Sequence, residues 1–336
     1  MIRYNRLLSL LLLPGILNSC FKKDEMVPSH PRGQVKTDTV AMTDNYKYQI
    51  YFDLASGKAV STNLKTESDI GFGCSSGDWR IILNTADFVK VADLGVIPFG
   101  QPHDTTGLQW KFDKSDGNPD SLAFGRWFTI SKGDTVSANH VYVVIRGLDP
   151  NGNSLGFLQI VFDSLKHGTY YFRFAGLDGL GVHSGAVAKD SSVNFVWYSF
   201  SSGGAVKNLE PPKNSYDLVF TQYSTLLFTS QGAAYPYIVT GVLLNRSGIV
   251  EAVKDSILDF NTITLSNVNS IPLLSALDVI GYDWKSFNFT SGSYTVRTGI
   301  FYLIRDKSGF LYKLRFIGFY NNTGEKGYPV IEYQAL

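Results

Sequence analysis

Apolar and polar residues alternate over much of the chain with the period of two that is typical of β-strands. Residues 294–305, 310–319 and 329–333 alternate or run apolar between turns rich in Ser, Asn and Gly, which predicts a C-terminal meander of antiparallel strands. Residues 170–174 follow the same pattern in the first half. One helix is predicted, around residues 271–280, where a proline confines it to a late start. The chain is therefore expected to be all-β with a minor helix.

A pattern of residues occurs twice along the chain. Residues 52–60 match residues 198–206, and residues 142–146 match residues 301–305. The matches continue in unbroken order as far as residues 166–168, which correspond to residues 325–327. Each copy has the length of an ordinary domain and is far longer than the unit of a solenoid. The repeat therefore indicates a tandem duplication.

The repeat also predicts where the domains begin and end. We expect one antiparallel β domain over residues 43–177 and a second over residues 193–336, joined by a Gly- and Ala-rich linker at residues 178–192. Residues 20–42 are predicted to be a flexible tether in front of the first domain. The expected architecture is two tandem β domains.

Residues 1–19 have the order of an export signal, in which two arginines precede a short apolar run and then a Pro-Gly break. Ser19 and Leu17 precede Cys20 as in a lipoprotein processing box, which predicts lipid attachment at Cys20. The Lys-Lys-Asp-Glu run at residues 22–25 resembles a surface-export signal, with a solvated tether as the alternative. We therefore expect a protein of the outer membrane that is held by its N-terminal lipid and exposed at the cell surface.

Composition narrows the classes of function. The formal net charge is +1 with 18% charged residues, so the chain lacks the basic face that nucleic-acid binding requires. Once Cys20 is acylated, Cys74 has no partner for a disulfide, and burial of apolar surface must supply the stability. Aromatic residues make up 14% of the chain, which favours strands and offers rings for stacking.

Two short motifs suggest chemistry but fit turns better. Residues 73–77 match the Gly-x-Ser-x-Gly pattern of a hydrolase elbow, yet a strand rather than a helix is predicted to follow them. Residues 149–153 have the early oxygen spacing of a calcium loop, but Ser154 and Ile160 replace its glycine and its bidentate acid. No acid pair, triad or metal cluster occurs at usable spacing, so we expect neither an enzyme nor a metal centre.

Histidine is confined to the tether, the first copy and the linker. The second copy contains no His, Met or Cys, so any soft axial ligand for iron must come from elsewhere. His103 lies in a polar Pro-His-Asp loop that could present a ligand, and His140 opens a strand. His103 is the first candidate haem-binding residue and His140 the second.

Four segments of the second copy together resemble the HmuY family of Bacteroidetes surface lipoproteins. They are residues 280–285 (IGYDWK), 302–306 (YLIRD), 312–316 (YKLRF) and 322–327 (NTGEKG). The resemblance covers the second copy well and the first more faintly, so the two predicted domains are each expected to be HmuY-like. It implies a mostly β fold, haem as the ligand and a TonB-dependent outer-membrane receptor as the partner.

The ligand positions that the resemblance implies are only partly filled. One family ligand follows the Trp-bearing strand, where this chain has Ser131-Lys132 in the first copy and Phe289-Thr290 in the second. The other lies in the preceding loop, where His103 falls. The leading hypothesis is thus a binding protein for haem or another tetrapyrrole. The alternative is a structural, interaction or glycan-binding lipoprotein accessory to an outer-membrane transporter.

Overall fold

The computed structural model describes residues 33–131, 134–149 and 151–336. The predicted signal peptide and Cys20 lie outside these residues. Within them the chain is almost entirely antiparallel β-structure, which confirms the expected fold class. No helix in this part of the chain is long and apolar enough to cross a membrane.

The strands of the first half are β1 Lys36–Thr39, β2 Tyr48–Asp53, β3 Lys58–Leu64, β4 Ile70–Gly73, β5 Ile81–Leu83, β6 Lys90–Val96, β7 Phe128–Ser131, β8 Asp134–Ser137, β9 His140–Ile145, β10 Phe157–Lys166, β11 Thr169–Ala175 and β12 His183–Ala188. Those of the second half are β13 Phe195–Ser199, β14 Ala205–Lys207, β15 Leu218–Phe228, β16 Ala234–Leu244, β17 Glu251–Asp255, β18 Lys285–Asn288, β19 Ser293–Val296, β20 Phe301–Arg305, β21 Leu311–Tyr320 and β22 Lys326–Ala335. The helix α1 spans Leu265–Val268, and short 3-10 helices span Thr85–Asp87, Pro119–Ser121 and Ser201–Gly203.

Two large apolar cores organise these strands. The first is built from residues between Ile70 and Phe200 and is covered by the sheet that contains β6 to β12. The second combines residues 40–54 with residues between Leu218 and Ala335, so it draws on both ends of the described chain. Its main sheet has the order β1-β22-β21-β20-β17. Trp127 and Trp284 are almost fully buried, one in each core.

The first hairpin of each copy has been exchanged between the two cores. Strand β2 of the first copy pairs with β15 of the second, and β13 of the second copy pairs with β4 of the first. The cores are therefore interlocked by strand pairing, and the predicted division at residues 178–192 is corrected. Residues 183–188 of the predicted linker form β12, which pairs with β11. Sequence similarity alone could not detect the exchange, because it identifies equivalent strands but not their partners.

Matching hydrogen bonds show that the copies are structurally equivalent. The backbone N–H of Asn84 donates to the carbonyl of Asp69 at 2.9 Å, and that of Asn245 donates to the carbonyl of Asp217 at 2.8 Å. Both asparagine side chains also donate to two backbone carbonyls just before the aspartate. The repeat found in the sequence thus has a counterpart in three dimensions.

The local predictions have mixed outcomes. The C-terminal meander is confirmed for β20 to β22, whereas β19 pairs with β18 in a separate hairpin. The motif at residues 73–77 lies in the turn between β4 and β5. Asp149 heads the turn between β9 and β10, where its carboxylate accepts the backbone N–H groups of Asn151 and Asn153. The helix was predicted too late in the chain, since α1 lies at Leu265–Val268. A Thr264 capping box explains its start, whereas Pro272 lies beyond its end.

Candidate functional site

His103 is held in a position that hides its ring nitrogen. Its backbone N–H donates to the carbonyl of Leu177 at 2.8 Å, which ties the loop to the β11–β12 turn. The Nε2 atom is buried and has no hydrogen-bond partner among the described residues. An iron atom would have to approach a ring nitrogen directly, and the Nε2 atom is covered in this conformation.

His140 is the better prepared histidine. Its Nδ1 lies 2.9 and 3.0 Å from the two carboxylate oxygens of Asp93 on the neighbouring strand β6. A carboxylate on one ring nitrogen orients the other as a ligand. The His140 side chain is 36% exposed, so it is accessible. It is isolated, however, because no group of three metal-ligating side chains occurs in the described part of the chain.

An open cleft borders the second core. We call it the hairpin cleft: it lies between residues 294–300 and residues 315–320 and has a volume of about 550 Å³. Ligand pockets in proteins commonly have volumes of about 300 to 1,000 Å³. Two smaller cavities in the described part of the chain have volumes of about 30 and 40 Å³, space for little more than water. Neither His103 nor His140 lines the hairpin cleft.

The cleft opens where the first copy has a continuous sheet. In the first copy the hairpin that follows Trp127 pairs with β10, through Ser164 with Val136 and Leu165 with Thr135. In the second copy β19 pairs with β18, and β20 pairs with β21 only as far as Leu314. The β21 edge beyond Leu314 therefore faces the cleft without a strand partner among the described residues. This difference between the two copies leaves the cleft open.

Aromatic rings form the wall of the cleft towards the core. Phe316 stacks on Trp284 with ring centroids 3.8 Å apart and planes 8° apart. Phe319 meets the edge of Tyr294 at 5.1 Å. At the end of the cleft the backbone N–H of Tyr294 donates to the hydroxyl of Tyr320. This side-chain contact replaces the ladder bond that would close the sheet.

A lysine is buried behind this aromatic wall. Lys285, the first residue of β18, is 6% exposed, and its Nζ donates to the carbonyl of Thr240 on β16. The Nζ lies 4.2 Å from the ring centroid of Trp284, 4.9 Å from that of Phe319 and 5.6 Å from that of Tyr294. Burial lowers the pKa of Lys285 to about 7, and the nearby Asp283 carboxylate only partly opposes this effect.

The open side of the cleft is positively charged. Arg297 and Arg315 both line it. Arg315 forms an ion pair with Glu332 at 2.7 Å, and its guanidinium lies 4.3 Å from the ring centroid of Phe260. Arg297 is exposed and has no carboxylate partner among the ion pairs of the described chain. Arg297 is therefore available to a carboxylate on a ligand.

Exposed aromatic side chains flank the cleft on two hairpins. Phe287 and Phe289 belong to the β18–β19 hairpin and are 40% and 91% exposed. Tyr235 and Tyr237 on β16 are 39% and 53% exposed. Burial raises the pKa of Tyr294 and the Tyr237 phenol adds to this effect, as expected if the two hairpins lie side by side. The family-ligand position at Phe289 thus carries a ring that can stack on a ligand but cannot ligate iron.

Sequence reasoning missed the cleft because its residues are unremarkable one by one. Tyr294, Phe316 and Phe319 follow ordinary strand alternation, and Arg297 follows β19 in an ordinary loop. The one available signal was Lys285, a charged residue that directly follows a buried tryptophan. Cys74 is buried, as expected, and burial raises the pKa of its thiol.

The described residues thus form an antiparallel β-fold with an open cleft at the edge of one sheet. The family model for the HmuY protein matches residues 45–333 as one stretch that spans both copies. The chain therefore belongs to the HmuY family, as the sequence resemblance indicated. HmuY proteins are binding proteins rather than enzymes.

Three solved structures are similar to this chain. Apo PinO from Porphyromonas gingivitis is 12% identical and aligns over 90% of this chain and 97% of that one, with a TM-score of 0.29. The apo HmuY analog of Tannerella forsythia is 10% identical over 91% and 98%, with a TM-score of 0.26. A candidate HmuY-like heme-binding protein from Bacteroides vulgatus is 14% identical over 52% and 90%, with a TM-score of 0.17. None of the curated proteins matches the chain.

Proposed function

We propose that this chain is a lipid-anchored cell-surface protein that captures haem or a related tetrapyrrole in the hairpin cleft. The observation that carries the proposal is the cleft itself, which has tetrapyrrole-sized volume, aromatic walls and an arginine without a carboxylate partner. Family membership supports the ligand class, because the founding members bind haem. Delivery to a TonB-dependent outer-membrane receptor is the proposed next step.

The cleft suits a flat apolar molecule that carries carboxylates. The partly exposed ring of Tyr294 offers a stacking surface, and Phe287 and Phe289 extend the aromatic surface beyond the cleft. Arg297 offers a forked donor for a propionate group. The second copy contains no His, Met or Cys that could serve as an axial ligand. Contacts to the ring and to its carboxylates would therefore hold the molecule.

Titration of the soluble chain without residues 1–20 tests this function. Haemin and metal-free protoporphyrin are added separately, and the Soret absorbance and tryptophan fluorescence are followed. We expect saturable binding of both, because the proposed contacts do not involve the metal. Arg297→Glu should weaken binding at least about tenfold by replacing attraction with repulsion. Arg126→Glu, an equal charge change at an exposed arginine before Trp127, should leave it unchanged.

Two histidine variants decide between the cleft and the first copy. His103→Ala and His140→Ala should both bind haemin as the unmodified chain does. If His140→Ala loses haemin binding and the unmodified chain does not bind metal-free protoporphyrin, the site is the His140–Asp93 pair and not the hairpin cleft. A featureless titration with both ligands would refute tetrapyrrole capture.

The exposed rings of Tyr235, Tyr237, Phe287 and Phe289 also favour a second candidate, a glycan-binding or interaction role for the two hairpins. A sugar would stack on these rings outside the cleft. Binding of soluble polysaccharides that is lost in Tyr237→Ala but kept in Arg297→Glu would support this role.

A further inference from the structure

We infer that Lys285 determines the charge specificity of the hairpin cleft: it lies behind the wall formed by Tyr294 and Phe319 and takes up a proton when an anionic ligand binds. This inference rests on the proposed function of the cleft and extends it by making affinity depend on pH. Lys285 acts on the ligand through the electric field, since the rings separate its Nζ from the open space.

The geometry places the amine next to the cleft. Tyr294 and Phe319 line the cleft on one side and lie 5.6 and 4.9 Å from the Nζ of Lys285 on the other. One layer of rings therefore separates the amine from a ligand. Rings attract a cation through their faces, and a low-polarity layer screens charge far less than water does.

The protein itself leaves the Lys285 charge largely uncompensated. The hydrogen bond to the carbonyl of Thr240 satisfies one proton of the amine. Asp283 is the one carboxylate that influences Lys285, and it is already paired with Lys254 at 2.5 Å. A buried charge without a close counterion is costly, so the neutral amine is favoured until an anion arrives. The carboxylates of the ligand would supply that missing charge.

The direction of the pH effect follows from the charges. With its pKa near 7, Lys285 is mainly neutral at pH 8.5 and mainly charged at pH 6. A nearby anion favours the charged form, so binding raises the pKa of the amine and draws in a proton. If the rise is about one pH unit, the affinity for an anion increases about tenfold between pH 8.5 and pH 6.

Other groups around Lys285 do not produce the same dependence. Tyr294 on β19 and Tyr46 before β2 have pKa values that burial raises further above 10. Arg297 and Arg315 keep their charge across this range, and Arg315 is paired with Glu332. The remaining neighbours with ionisable groups are Tyr320 on β21, Tyr237 on β16 and the Asp283–Lys254 pair.

The test uses protoporphyrin IX and its dimethyl ester with four forms of the chain: unmodified, Lys285→Met, Lys285→Arg and Lys313→Met. Lys313 is the matched control, because it is also buried at 2% exposure and bonds the carbonyl of Phe260, but does not border the cleft. Dissociation constants are measured at pH 6, 7 and 8.5. Calorimetry in two buffers at pH 7.5 counts the protons taken up.

We expect the unmodified chain and Lys313→Met to bind the diacid about tenfold more tightly at pH 6 than at pH 8.5, with proton uptake. Lys285→Met should bind with a flat pH profile and no uptake, and Lys285→Arg should bind tightly at every pH. The dimethyl ester should show no pH dependence with any form. If Lys285→Met binds with the same pH dependence as the unmodified chain, the inference about Lys285 is overturned and the proposed function is unaffected. Absence of binding in the unmodified chain would overturn the proposed function as well.

Discussion

We predict that the buried carboxylate of Asp69 holds the exchanged strand β13 in the first core, and replacement of Asp69 tests this role. Asp69 is 2% exposed and accepts the backbone N–H of Phe200 at 2.7 Å, directly after the exchanged strand β13. The same carboxylate receives two bonds from the Arg146 guanidinium, at 2.9 and 3.1 Å. One side chain thus ties a strand of the second copy to the first core.

Asp69→Asn removes the charge while it keeps the shape of the side chain. Arg146 is only 12% exposed, so the variant leaves a largely buried guanidinium without its counterion. Removal of one partner from a buried pair costs about 3–5 kcal/mol. We expect the free energy of unfolding to fall by about that amount, measured by urea denaturation at pH 7 with tryptophan fluorescence.

Asp163→Asn provides the matched control. Asp163 also forms an aspartate–arginine pair, at 2.7 Å from Arg173, but the two side chains are 33% and 44% exposed. Water screens such a pair, and its loss should cost no more than about 1 kcal/mol. Equal losses of stability in the two variants would refute the role of Asp69 in holding the exchanged strand.

Two further predictions concern charge burial and the interlocked cores. Burial raises the pKa of Asp87 to about 7, so its charged form is disfavoured in the folded chain, and stability should fall as pH rises from about 4 to 7. The free energy of unfolding of Asp87→Asn, relative to that of the unmodified chain, should therefore rise by about 2–3 kcal/mol between pH 5 and pH 8.5 in urea unfolding. The same relative stability at both pH values would contradict this pKa. Residues 20–192 and 193–336, made separately, should each lack cooperative unfolding, because β2 and β13 lose their partner strands β15 and β4, and should regain it when refolded together. Cooperative unfolding of either half alone would show that the exchange is dispensable.

The sequence was a good guide wherever a feature depends on neighbouring residues. The alternation in residues 310–319 and 329–333 reports strands because successive side chains of a strand point to opposite faces. The Gly-rich turn at residues 73–77 and the Asp149 turn could be predicted because their residue types favour turns. The helix was misplaced because four residues at Leu265–Val268 are too few to leave a periodic signal.

The residues of the candidate site were harder to predict. His103 was chosen because histidine is the usual iron ligand, but its Nε2 is covered in the fold. The hairpin cleft arises because β19 does not pair with β21 as β8 pairs with β10. No residue type distinguishes the two copies here, because the difference lies in whether the hairpin pairs with the neighbouring long strand.

Local pattern was thus sufficient to establish the strands, the turns, the duplication and the family of this chain. Three outcomes depended on long-range contacts: the exchange of β2 and β13, the opening of the cleft, and the burial of Lys285 behind it. The alternation within a strand predicts which side chains face a core, but it does not predict which strand will pair with it. That choice is made by the packing of residues far apart in the chain, and here it opened the hairpin cleft.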